Sequence, residues 1–148
     1  SRRCHETALL IADYCAKVFQ KKMQVSILDP LREVNFDLNR ICTMTNFEHY
    51  DLGAINDSVF QAMASGKYCE HVSYAYERVS LIFNMLSQMP GAAPLFVTHD
   101  FFMRVIELFI RNHGKNKDIA CIDLKNTKRN AYARGFLTNS DISVFLPF

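Results

Sequence analysis

The stretch that most constrains the fold is an apolar run, residues 95–97, which ends in Thr98-His99-Asp100. Residues 101–110, which follow it, have the apolar spacing of a helix. A buried strand, a polar turn and a helix in this order make half of a βαβ unit, so we predict an α/β fold. In such sheets ligands bind at the carboxyl ends of the strands, which makes His99 a candidate site residue. A structural hydrogen-bonding role for His99 is the alternative that its position leaves open.

Length and composition favour one domain that covers residues 1–148. The chain is 49% hydrophobic and 22% charged, enough apolar content for a sizeable core. No apolar run approaches the roughly 20 residues needed to cross a bilayer, so we expect no membrane partner. Lysine and arginine are interleaved with acids at a net charge of +2, which does not indicate a nucleic-acid surface.

Cysteine usage favours a reducing, cytoplasmic setting. The five cysteines are odd in number, scattered, and contain no C-x-x-C pair. Neither a disulfide framework nor a zinc site is indicated, and we expect no metal and no cofactor.

The remaining periodicity predicts alternating helices and strands. We predict helices over residues 4–23, 56–65 and 72–86, the last one ended by Pro90-Gly91. Short strands are predicted over residues 24–28, closed by Asp29-Pro30, over residues 119–124, and over residues 131–138 or 141–146. Residues 31–56 are predicted to be loops with short helical turns.

Four local patterns stand in a definite order along the chain. The first is Arg3-Cys4-His5-Glu6-Thr7-Ala8, of the form R-x-x-x-T-A, and the second is Asp29-Pro30-Leu31-Arg32-Glu33, of the form D-x-x-L-x-E. Glu70 then stands eight residues before Arg78, and Val97-Thr98-His99 comes last. Together these patterns resemble those of the histidine phosphatase superfamily, the phosphoglycerate-mutase-like enzymes.

The resemblance implies a fold and a set of roles. The fold would be a three-layer sandwich, with a mostly parallel central sheet flanked by helices. Arg3 and His99 would bind the phosphoryl group, His99 would stabilise the transition state, and Glu70 would donate a proton to the leaving oxygen. These residue types suit phosphoryl transfer, which depends on positioning and charge stabilisation. Taken singly, Arg3 could be a solvated residue, and Glu70 an acid at a helix start.

One part of the family pattern is missing from the sequence. The nucleophile in this family is a histidine of an Arg-His-Gly motif that follows the first strand and precedes the R-x-x-x-T-A helix. Arg111-Asn112-His113-Gly114 is superficially similar, but it reads as a helix end. We therefore expect the nucleophile on a separate N-terminal segment, of the same polypeptide or of another chain, and we expect instability or oligomerisation if these 148 residues are the whole protein. Asp100 also departs from the family, and its carboxylate would repel a phosphate dianion.

The sequence thus predicts a phosphomonoester hydrolase that acts through a phosphohistidine on a small phosphorylated substrate or a phosphoprotein. Two alternatives stay open, a phosphomutase and a non-catalytic phosphate-binding or interaction module. A nucleotide-binding protein is disfavoured, because neither G-x-G-x-x-G nor a P-loop lysine motif is present.

Overall fold

A computed structural model describes residues 2–44, 52–89, 94–115 and 119–127. Within these ranges the chain is helical. The elements are α1 (Arg2–Phe19), a 3₁₀ helix (Asp29–Leu31), α2 (Leu38–Met44), α3 (Leu52–Ser65), α4 (Val72–Ser87), α5 (Asp100–Arg111) and α6 (Cys121–Lys125).

The predicted α/β sandwich with a parallel, phosphoglycerate-mutase-like sheet is wrong for the described part of the chain. The ranges above contain no β-strand, and their one β-type pairing is an isolated antiparallel bridge between Phe36 and Cys69. Residues 24–28 and 95–98, predicted as strands, run without a neighbouring strand within those ranges. A strand needs a partner for its backbone N–H and C=O groups, and an apolar run does not supply one.

The predicted strand over residues 119–124 is also wrong, because its second half is helical. The Asp123 carboxylate accepts a hydrogen bond from the backbone N–H of Ala120 at 2.8 Å, which begins α6. A side chain that satisfies the first N–H of a helix favours that helix over a strand. The predicted strands over residues 131–138 and 141–146 lie outside the described residues.

The helix predictions are largely confirmed. The predicted helices over residues 72–86 and 101–110 are α4 and α5, within one residue at each end, and the one over 4–23 is α1. Helix α3 begins at Leu52, earlier than predicted, and α2 lies in the region expected to be loops. Gly66 follows α3 with a φ of 69°, a left-handed conformation that glycine adopts without strain.

The core lies between α4 and α5, with α3 beside it. Helix α4 packs on α5, while α3 contacts both α2 and α6. The stripe predicted for α4 is buried at five positions, Val72, Ala75, Tyr76, Val79 and Ile82. From α5, Phe102 and Val105 are completely buried against it. This packing fixes the amino end of α5, and His99 immediately before it.

Helix α1 is the exception, because none of its residues is buried. Its apolar side chains remain partly exposed, and Leu10 is 71% exposed. None of the described helices is both long and apolar enough to cross a membrane.

Candidate functional site

The site lies where the amino end of α1 meets the amino end of α5. We call Arg3, Cys4, Glu33 and His99 the His99 site. The Cys4 Sγ atom is 3.2 Å from Nε2 of His99 and 3.3 Å from the carbonyl oxygen of Thr98. Residues 95 positions apart in the sequence therefore touch, and the R-x-x-x-T-A and V-T-H patterns meet in space.

His99 is the N-cap residue of α5, and its backbone is extended with φ −115° and ψ 160°. Thr98, the preceding residue, holds this segment in place. Its hydroxyl donates a hydrogen bond to the carbonyl oxygen of Leu31 at 2.6 Å. The D-x-x-L-x-E segment is thereby held beside the V-T-H segment. With 11% of its side chain exposed, His99 is mostly enclosed by protein.

Glu33 fixes the start of α5 from outside the helix. Its Oε1 atom accepts hydrogen bonds from the backbone N–H groups of Val34 at 2.9 Å and Phe102 at 3.1 Å. The first N–H groups of a helix have no partner within it, so this carboxylate satisfies one of them. The other oxygen, Oε2, lies 3.9 Å from Nδ1 of His99. Glu33 therefore links the helix start to the imidazole.

Burial acts on both titratable groups of this pair. It raises the pKa of Glu33, an effect that the two backbone hydrogen bonds partly offset and the nearby charge of Asp100 reinforces. Burial lowers the pKa of His99, and the positive charge of Arg3 adds to that effect. At neutral pH His99 is thus a neutral imidazole, and its approach to Glu33 is not an ion pair.

A cavity of about 890 Å³ opens beside the site. It is bounded by α1, residues 23–29, the end of α4 and residues 94–97, and its walls are mainly aliphatic. The lining also includes Arg2, Cys4, His5, Arg32 and His99. A few polar residues in an otherwise apolar cavity are the usual arrangement of a small-molecule site.

Arg3 is exposed on the first turn of α1, close enough to His99 for its charge to act on the imidazole. Among the described residues it has no ion-pair partner, whereas Arg2 next to it pairs with Glu6 at 2.7 Å. A guanidinium without a carboxylate partner is available to bind an anion. The charge of Arg3 thus reaches His99, while the phosphate-binding roles of both residues stay predictions.

Glu70 is placed differently from the other predicted site residues. Its carboxylate forms a two-point ion pair with Arg78, at 2.9 and 3.0 Å, and is also 3.4 Å from Nη1 of Arg32. It lines a second cavity, of about 700 Å³, with residues 35–40, 68 and 69. Arg32 lines the larger cavity and contacts Glu70, so Glu70 lies one side chain away from that cavity.

Two further histidines and one carboxylate have other roles. His113 follows α5 in a left-handed conformation, with φ 51°, as expected for a helix end. His71 is the N-cap of α4, where its Nδ1 accepts a hydrogen bond from the backbone N–H of Ser73 at 3.2 Å. Asp100 Oδ2 lies 3.5 Å from Nε of Arg104, which offsets its negative charge near the site.

Two members of the site were not singled out from the sequence. Cys4 and Glu33 lie inside patterns that were recognised, but neither was given a role at His99. The contacts join α1, the 29–33 segment and α5, so no local spacing could have found them. Among the described residues, no group of three or more His, Cys, Asp or Glu side chains could hold a metal ion.

A comparison of the chain with models of known families, with curated proteins and with solved structures finds no match.

Proposed function

We propose that this chain binds the phosphoryl group of a phosphomonoester at the His99 site and forms part of a phosphatase. The observation that carries the proposal is the contact between Cys4 and His99, because the preceding residue, Arg3, is then close enough for its charge to act on the imidazole. A phosphoryl group needs such donors at several oxygens, and arginine supplies two in a planar fork. Arg2 and Arg32 also line the neighbouring cavity and add positive charge to it.

The proton donor in this proposal is Glu33. A general acid must hold a proton near neutral pH and lie near the leaving oxygen. Burial raises the pKa of Glu33, which lies beside His99, whereas Glu70 is held by two guanidinium groups. In the proposed reaction, attack on phosphorus belongs to a histidine supplied by polypeptide outside this sequence, and Glu33 protonates the leaving alkoxide.

The ion pair of Glu70 also favours a second candidate function, a phosphate-binding module without hydrolysis. Arg78 donates a hydrogen bond to each carboxylate oxygen of Glu70, so this carboxylate is engaged within the protein and not directed at a leaving group. If Glu70 is the required proton donor, its ion pair with Arg78 favours phosphate binding without hydrolysis.

The binding step is tested on this 148-residue chain with phenyl phosphate as the probe, by isothermal titration calorimetry. We expect saturable binding that weakens about tenfold or more in Arg3→Ala and in His99→Ala, because each removes a donor to the phosphoryl oxygens. Arg40→Ala and His113→Asn, which lie outside the site, are the matched controls. Unchanged affinity in both site variants would overturn the proposal.

Hydrolysis is tested by p-nitrophenyl phosphate turnover in the longest natural polypeptide that contains this sequence. We expect Glu33→Gln to lower turnover by about a hundredfold, the ordinary contribution of a general acid. Loss of turnover in Glu70→Gln with normal turnover in Glu33→Gln would reverse the assignment of the donor. Binding without any turnover would favour the non-catalytic module.

A further inference from the structure

The contact between the Cys4 thiol and the His99 imidazole also allows a thiol chemistry that phosphoryl binding does not require. Their heavy atoms are 3.2 Å apart, within the range expected of a nucleophile and its general base. On the other side of the ring, Nδ1 faces Oε2 of Glu33 at 3.9 Å. A nucleophile and a base are therefore in contact, and a carboxyl group lies near the opposite nitrogen of the base, beyond hydrogen-bond distance.

The protonation state of His99 suits the role of a base. Because burial and the charge of Arg3 favour the neutral ring, one ring nitrogen carries a lone pair. With the N–H on Nδ1, toward Glu33, the lone pair on Nε2 points to Cys4. The thiol proton then has two acceptors, Nε2 of His99 and the carbonyl oxygen of Thr98.

The surroundings give small molecules access to this sulfur. Cys4 is partly exposed and lines the 890 Å³ cavity, whose walls include Ile11, Leu28, Ile82 and Val97. Reactive cysteines lie in partly exposed, electropositive surroundings, and Arg3 adjoins Cys4 in the sequence. Aliphatic walls favour an electrophile with an apolar body over one that is fully hydrated.

We propose that Cys4 is a reactive thiol, with His99 as its base, that is oxidised by organic hydroperoxides entering this cavity. Nε2 of His99 takes the thiol proton as sulfur attacks the outer peroxide oxygen. A sulfur–oxygen bond forms, the oxygen–oxygen bond breaks, and the leaving alkoxide takes the proton from the imidazolium. Cys4 is oxidised to a sulfenic acid and the hydroperoxide is reduced to an alcohol. The inference does not rest on the proposed phosphatase activity.

The chain contains its own controls for this proposal. Cys15 lies on the same helix and is also partly exposed, but its sulfur has no hydrogen-bond partner among the described residues. Burial raises the pKa of Cys69 to about 12, and the negative charges of Glu70 and Glu33 add to the shift. Cys15 is thus the matched comparison for Cys4, and Cys69 the thiol expected to react most slowly.

The test treats the whole chain with cumene hydroperoxide, traps sulfenic acid with dimedone, and measures each cysteine by peptide mass spectrometry. We expect Cys4 to be modified about a hundredfold faster than Cys15, the lower end of what a positioned base contributes. In His99→Gln the two rates should become similar. A rate at Cys4 equal to or below that at Cys15 in the wild-type chain would overturn the proposal.

Two further measurements test the role of His99 as the base and distinguish this proposal from the proposed phosphate site. Labelling with iodoacetamide, in which sulfur displaces iodide and His99 takes the proton, should show the same preference for Cys4. A preference that survives in His99→Gln would contradict the role of His99. Phenyl phosphate affinity of Cys4→Ser, measured separately, reports on the phosphate site, so failure of one proposal is distinguishable from failure of the other.

Discussion

Glu70 and Arg78 form a buried two-point ion pair, with Nε 2.9 Å from Oε1 and Nη2 3.0 Å from Oε2. Only 9% and 11% of the two side chains are exposed. Arg78 also donates hydrogen bonds to the carbonyl oxygens of Pro30 and Arg32, at 3.0 and 2.8 Å. The pair therefore ties α4 to the segment that carries Glu33.

Removal of the guanidinium should destabilise the fold strongly. We expect Arg78→Met to lower the free energy of unfolding by about 3 kcal/mol, because Glu70 then loses its closest counter-ion while mostly buried. Urea denaturation measures the change. Arg2→Met, at an ion pair with 91% and 53% exposed side chains, should cost at most about 0.5 kcal/mol. Equal effects of the two substitutions would contradict the structural role of Arg78.

The raised pKa of Glu33 gives its stability contribution a definite pH dependence. A folded-state pKa above the ordinary value of 4.5 means that the fold favours the protonated carboxyl. Its contribution is therefore present below the ordinary pKa and is lost as pH rises through the folded-state value. Relative to Glu33→Gln, the wild-type chain should lose stability as the pH rises above 4.5 and through the folded-state pKa.

Urea denaturation at intervals across this pH range checks the sign. Glu77→Gln, on an exposed face of α4, controls for the loss of a carboxylate elsewhere on the chain. If the wild-type chain gained stability over Glu33→Gln as pH rises, the direction assigned to Glu33 would be wrong.

The Thr98 hydroxyl should contribute measurably through its bond to the carbonyl oxygen of Leu31. We expect Thr98→Val to lower the free energy of unfolding by about 1 to 2 kcal/mol, since it leaves that carbonyl without this donor. Thr98→Ser keeps the hydroxyl and should cost less than Thr98→Val. Thermal unfolding of both variants gives the comparison, and a Ser variant less stable than the Val variant would refute it.

Gly114 ends α5 in a left-handed conformation with φ 68°, and a Cβ there would lie 3.2 Å from Cζ of Phe109. We expect Gly114→Ala to destabilise the chain by about 1 kcal/mol or more, because alanine adopts this conformation at a cost. Gly114→Asn should cost less, since asparagine tolerates it better. Alanine tolerated as well as asparagine in urea denaturation would argue against this strain.

The sequence predicted the helices well and the sheet wrongly, for one physical reason. An amphipathic helix satisfies its backbone within itself, so the apolar stripe of α4 was enough to predict it. A strand depends on a partner elsewhere, and residues 24–28 and 95–98 lack one among the described ranges. Local hydrophobicity therefore predicted strands that the structure does not form.

The same difference between local and long-range interactions applies to the candidate site. His99 was found because it follows an apolar run and precedes a helix, and it does cap α5. Glu70 and Arg78, which the sequence pattern paired at an interval of eight residues, form a direct ion pair. The neighbours of His99, Cys4 and Glu33, depend on how three separate segments pack, which the sequence pattern does not encode.

The weak attachment of α1 has a consequence for affinity. Helix α1 buries no residue of its own. Arg3 and Cys4 therefore lie near His99 only while α1 is packed against the other helices. For a ligand that bridges these residues, the observed dissociation constant equals the intrinsic dissociation constant divided by the fraction of molecules in which α1 is packed in this way. A change far from the ligand that preorganises α1 would therefore tighten binding, and a bound anion would in return shield the helix from proteolysis.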